Sequence, residues 1–283
     1  MTAWSVQVES ADPERTAVAV ATLATLPLSF RRFSAGASDA RADAVAARPD
    51  VVVVAGSEGW VERAREAASA GARGVVVTDP LPVAARVPLV ALADDVSGCA
   101  IVLAESWASS PALLTAAERL SAPIARTRVV DARSIEPRRG RDLRAVLFAQ
   151  LRAVQRLGVE VSSLEVVAET ASSLLGVGRS TTGARIVLSA ARSDTADCTL
   201  DLLLVAPDET IRIEVPDGTT ARPGRAVHTS ASDAVELPTI WQTAHRTAWQ
   251  RLNDALLAGG RPGDLESFAR ASALLPPLTP PGD

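Results

Sequence analysis

The first apolar–polar pattern falls at residues 4–9, where side chains alternate with period two and predict a strand. Residues 16–26 carry apolar side chains at helical spacing. The preceding Asp12-Pro13-Glu14 supplies a cap, a first-turn proline and a first-turn acid. Residues 28–33 are expected as a second strand and 38–47 as a short helix. The stretch 50–80 then reads as strand, loop, helix, tight turn and strand. Val51 to Val54 is a continuous apolar run, 60–70 sets Arg and Glu against Ala, Gly71 ends the helix, and 74–77 is a second apolar run stopped by Asp79-Pro80. Two continuous strands joined by one helix make a right-handed βαβ unit with parallel strands.

Beyond Pro80 the pattern predicts short strands at 87–91 and 99–104, a helix at 111–120 and an alternating strand at 124–132. A helix follows at 142–157, with Leu143, Val146, Leu147, Leu151 and Val154 on one face and Gly158 after it. Strands are expected at 163–170, 184–189, 198–205 and 210–215, the last two joined by the hairpin turn Ala206-Pro207-Asp208-Glu209. Their alternation suits an antiparallel sheet with one covered face. Helices at 238–258 and 264–274 and a Pro-rich tail at 276–283 complete the chain.

Composition narrows this picture. In 283 residues, 47% are hydrophobic and 22% charged, enough for a sizeable core in one or two domains. The net charge of -4 and scattered arginines give no reason to expect nucleic acid. No apolar run approaches the roughly 20 residues that span a bilayer, and the start of the chain lacks a signal-peptide core. Cys99 and Cys198 are isolated, without metal-ligand spacing, and suit free thiols in a cytoplasmic protein. The chain has no lysine and no tyrosine. Neither residue can therefore serve here as acid, base or Schiff-base former.

The first strand is the natural place for a dinucleotide cradle, which needs a G-x-G-x-x-G turn so that backbone amides can approach the pyrophosphate. Ser10, Ala11 and Asp12 stand there instead, and Asp12 and Glu14 put the helix's own anions where a phosphate would sit. An ordinary capped helix is the favoured reading. Arg31 and Arg32, near the end of the second strand, could reach a ribose 2′-phosphate; a solvated edge is the alternative. The basic loop 138–141 is solvated or contacts an anion. His228 is expected in a solvated loop, and His245 as a structural histidine in mid-helix. No G-x-S-x-G, P-loop or zinc spacing occurs.

The stretch 50–80, with its apolar strand, Ala-rich helix, Ala70-Gly71, second strand and Pro80, resembles the nucleotide-binding domain of the glucose-fructose oxidoreductase / inositol dehydrogenase (Gfo/Idh/MocA) family. The resemblance extends to the helix at 142–157 and to the final pair of helices. It implies an α/β fold: a Rossmann-like parallel-sheet domain over 1–122, and an α+β domain with a largely antiparallel open sheet over 123–275. It also implies hydride transfer between NAD(P) and a sugar or polyol, and a homodimer or hetero-oligomer formed through the second sheet. The family's Glu-Lys-Pro here reads Thr78-Asp79-Pro80, and its Asp-x-Gly-x-His maps onto Asp142, Arg144 and Val146. With turn, Lys and His all replaced, the expectation is a degenerate oxidoreductase that has lost NAD(P) binding and catalysis, with no cofactor or metal, acting as a structural or regulatory subunit. The alternatives are an NAD(P)-dependent oxidoreductase with relocated groups, among them an Asp79–Asp142 carboxylate pair, and a sensor of a sugar-like molecule.

Overall fold

The computed structural model describes residues 3–9, 12–33, 48–83, 87–95, 98–137, 140–195, 198–217 and 222–275. The chain divides into two compact units, one of residues 1–81, 87–104 and 248–266, the other of 82–86, 105–247 and 267–283. The first unit runs β1 (Trp4–Val8), α1 (Pro13–Ala24), β2 (Phe30–Arg32), β3 (Val51–Ala55), α2 (Trp60–Ser69), β4 (Gly74–Thr78), α3 (Val87–Asp95) and β5 (Ala100–Ala104). Its strands form one sheet in the order β2-β1-β3-β4-β5, every neighbouring pair parallel. The order reverses between β1 and β3, so the carboxyl ends of these strands face the crevice where open α/β sheets take ligands.

Burial explains the run of valines. Val51, Val53, Val75, Val76 and Val77 have no exposed surface, as a sheet covered on both faces requires. Each fully buried side chain of this size stabilises by about 1.5–3 kcal/mol relative to exposure. On one face the core joins Val6, Ala19, Leu23 and Phe30 to Trp249 and Leu252, and Phe30 meets Trp249 edge-on at 4.7 Å.

The second unit contains α4 (Pro111–Arg119), α5 (Ser121–Ala125), β6 (Val129–Glu136), α6 (Leu143–Arg156), β7 (Val161–Glu169), β8 (Ser173–Ser180), β9 (Arg185–Arg192), β10 (Thr199–Val205), β11 (Glu209–Pro216), β12 (Arg225–Ser230) and β13 (Ala234–Glu236). Two helices close the chain, α7 (Ala244–Ala258) and α8 (Asp264–Ser272). The sheet has eight strands in the order β13-β12-β11-β10-β6-β9-β8-β7. All pairs are antiparallel except β6 with β9. One face is covered by α4 and α6. The other leaves Val177 and Leu203 more than a third exposed, beside the ion pairs Arg212–Asp201 and Arg225–Glu236.

Several expected elements differ. Residues 87–91 belong to a helix, not a strand: Leu89 and Leu92, three apart, are both fully buried, which is helical spacing. The strand expected at 124–132 begins at Val129, because the Ser121-Ala122-Pro123 segment starts a one-turn helix that contains Ile124. The helix expected from 238 begins at Ala244, where Thr243 Oγ1 accepts the Arg246 amide at 3.1 Å and sets the start. His245 accordingly lies in the first turn, buried, rather than in mid-helix. His228 lies on β12, not in a loop. Strand β8 has no counterpart among the expected strands; Gly176 and Gly178 break its apolar pattern. A Cβ at Gly178 would sit 2.1 Å from the Ser163 carbonyl oxygen, so glycine is what lets β8 approach β7. The helix expected at 38–47 lies outside the described residues.

Candidate functional site

The crevice of the first unit is built from the three loops that leave β1, β3 and β4. Glu9 follows β1. Its carboxylate accepts the Ala55 amide at 2.9 Å and pairs with Arg63 Nε at 2.8 Å. The Arg63 guanidinium also donates to the carbonyls of Ala55 at 2.9 Å and Glu58 at 2.6 Å. One arginine on α2 thus ties the ends of β1 and β3 together.

Asp12 caps α1 as the sequence leads one to expect. It accepts the Arg15 amide at 3.2 Å, and Arg15 Nε lies 3.3 Å from its second oxygen. Arg15 continues to the Asp79 carbonyl at 3.1 Å and so links the start of α1 to the loop after β4. Asp79 has φ of 43°, the one positive φ outside glycine among the described residues. An Asp in this region carries roughly 1 kcal/mol of strain, and such residues gather at functional loops. Arg31 and Arg32 are exposed on β2. Ser10 and Ala11 lie outside the described residues.

The residues present fit a nicotinamide dinucleotide with a changed set of donors. At the start of α1 the Arg15 amide serves Asp12, so the cationic side chains Arg15 and Arg63, paired here with Asp12 and Glu9, are the groups a phosphate would draw on, and Arg31 and Arg32 those for a ribose 2′-phosphate. Glu9 and Arg63 were not singled out by sequence. Their signal is a charged residue directly after an apolar strand, at the end where ligands bind.

In the second unit Asp142 caps α6, accepting the amides of Arg144 at 2.8 Å and Ala145 at 3.2 Å. Val146 is wholly buried on the core side of that helix. Asp79 and Asp142 belong to different units. Arg144 turns outward to Glu169 at 2.6 Å, which lowers the Glu169 pKa. His228 Nε2 lies 2.7 Å from Glu209, whose carboxylate also meets Arg126, so this histidine is a partly buried hydrogen-bond partner and not a solvated one. Two further networks involve α6 and the loop before it. Arg152, 2% exposed, holds Glu105 through two bonds of 2.8 and 2.9 Å. Arg141 pairs with Glu136 at 2.5 Å and stacks over Trp107 at 4.4 Å. Cys198 donates to the same Glu136 at 3.1 Å; burial, with Glu136 added, pushes its thiol up to about 12. Among the described residues no three His, Cys, Asp or Glu side chains converge as metal ligands, and no helix is long and apolar enough to cross a membrane.

No family model matches the chain and no curated protein matches its sequence. Solved structures do. KijD10, a 3-ketoreductase from Actinomadura kijaniata crystallised with NADP, superposes with a TM-score of 0.72 at 14% identity, over 96% of this chain and 95% of its own. The UDP-N-acetylglucosamine 3-dehydrogenase GnnA from Acidithiobacillus ferrooxidans gives 0.69 at 13%, over 96% and 95%. A dehydrogenase from Chromobacterium violaceum gives 0.68 at 14%, over 97% and 94%. These likenesses correct one expectation. KijD10 holds NADP in this fold, so a missing glycine turn is not sufficient ground to expect no cofactor. What the resemblance in sequence implied, the superpositions show for the architecture: this chain has the two-domain fold of the Gfo/Idh/MocA oxidoreductases.

Proposed function

We propose that this chain binds a nicotinamide dinucleotide, does not carry out the family's hydride transfer, and serves as a structural or regulatory subunit. When bound, the nicotinamide supplies a hydride donor or acceptor; the protein must supply a base for the hydroxyl proton. The observation that carries the reading is at that second position. Val146 is buried in the core where the family has its histidine, and Asp142 uses its carboxylate on two helix amides. No lysine or tyrosine exists elsewhere to take over. Arg15 and Arg63 would hold the diphosphate, and Arg31 with Arg32 would favour the 2′-phosphorylated form.

The uncovered sheet face of the second unit, apolar and laced with ion pairs, supports assembly with a second copy or a related chain. The free thiols Cys99 and Cys198 support a reducing, cytoplasmic setting. The test is to titrate the full chain with NADPH and NADH by nicotinamide fluorescence, then add UDP-N-acetylglucosamine and follow the nicotinamide chromophore. We expect saturable binding that favours NADPH, without turnover. Steady cofactor consumption would sink the non-catalytic half.

A second reading, an NADP-dependent oxidoreductase of sugar-like substrates, is favoured by one feature. Asp79 stands at the family's lysine position in a strained left-handed conformation, as a functional loop residue often does. Under it Asp79 would act as the base, and Asp79→Asn would abolish a turnover that the first reading says is absent.

A further inference from the structure

A cavity of about 290 Å³ in the second unit is lined by Ser106, Ser110, Asp217, Arg222, Trp241 and Gln242, with the start of α4 as one wall. Ser110 stands at the capping position of α4, yet its side chain caps nothing. The residue is 3% exposed, and its hydroxyl makes no capping bond. A hydroxyl that lines a cavity without a capping bond is a donor available to whatever occupies it.

Pro111 has no amide hydrogen, which leaves the amides of Ala112 and Leu113 at the positive end of a nine-residue helix. Gly224 keeps the approach clear. A Cβ there would lie 2.8 Å from the Ala112 methyl and 3.4 Å from Ser110 Oγ. Arg222 adds a cation, about half exposed and 3.3 Å from Glu214. The lining also includes Trp241, a residue 78% exposed. A large indole left in water beside a cavity is a stacking platform. Asp217 limits the charge the cavity accepts: beside it a polyanion is repelled and a single anionic group is not.

We propose that this cavity binds a small ring-bearing anion, its phosphate or carboxylate on the α4 amides, the Ser110 hydroxyl and Arg222, its ring against Trp241. The site lies within the second unit and is independent of the dinucleotide reading.

The test is calorimetric titration of the full chain with phenyl phosphate, benzoate, inorganic phosphate and phenol. One of the two ring-bearing anions should saturate one site per chain, and which one does identifies the anionic group. Arg222→Gln and Trp241→Ala should each weaken it about tenfold, and Ser110→Ala by less. Arg15→Gln, in the other unit, should leave the affinity unchanged. Unaltered helix content by circular dichroism makes a loss in any variant interpretable. The proposal fails if neither ring-bearing anion saturates at millimolar concentration. It also fails if inorganic phosphate binds as tightly as phenyl phosphate, if the two cavity variants bind like the parent, or if Arg15→Gln removes binding.

Discussion

Helices α1 and α4 both begin with a proline after a residue able to cap, yet their ends differ in kind. Asp12 turns its carboxylate onto α1 and draws in Arg15, so the positive end of that helix is neutralised from within the chain. Ser110 leaves α4 open, with its hydroxyl and Arg222 facing a cavity. The same local grammar therefore yields an end already filled by the protein's own anion and an end ready for another. The lesson concerns where charge is already balanced. In the first unit Glu9 pairs with Arg63 and Asp12 with Arg15, so a diphosphate bound there would have to share these arginines with the protein's own carboxylates.

Variants can break or sharpen this contrast. The largest effect should come where an internal balance is buried. Arg152→Met strands the Glu105 carboxylate and should cost about 3–5 kcal/mol in denaturant unfolding. A loss under about 1 kcal/mol would mean that the pair is solvated. Next is Gly178→Ala, whose methyl meets the Ser163 carbonyl; forcing β8 from β7 should cost about 1–3 kcal/mol. The contrast itself is read from the two caps. Asp12→Ala should lose about 1 kcal/mol, Ser110→Ala less than about 0.5 kcal/mol, because only the first makes a capping bond. Equal losses would erase the distinction. The smallest effect is on reactivity. With Cys198 pushed up to about 12 by burial and Glu136, its thiolate is scarce below that pH. Alkylation of the folded chain at neutral pH should lag far behind that of the unfolded chain, and equal rates would contradict the buried environment.

Much of this fold could be read from pattern. The valine runs of β3 and β4 are continuous because both faces are buried, and β10 and β11 alternate because only one is. What pattern missed has identifiable causes. In 87–91 five apolar-leaning residues are too few to separate periods of two and 3.6, and burial of Leu89 and Leu92 decides for the helix. In β8, glycines that allow close approach to β7 interrupt the alternation that marks a strand. The caps Asp12 and Asp142 were legible because a capping bond is made within a few residues. The partners Glu9–Arg63, Glu105–Arg152 and Glu209–His228 were not, since each joins positions far apart in sequence. The same limit explains the error over the cofactor. Sequence shows that the glycine turn is gone, but not that Arg63 ties the ends of β1 and β3 or that Arg15 reaches the loop after β4.

That these arginines hold a dinucleotide is the central proposal, and nicotinamide fluorescence during titration with NADPH tests it most directly, on the parent chain and on Arg15→Gln. The account predicts saturable binding by the parent, weakened about tenfold or more when the arginine is removed. No saturation at millimolar NADPH, or equal affinity in both proteins, would contradict it.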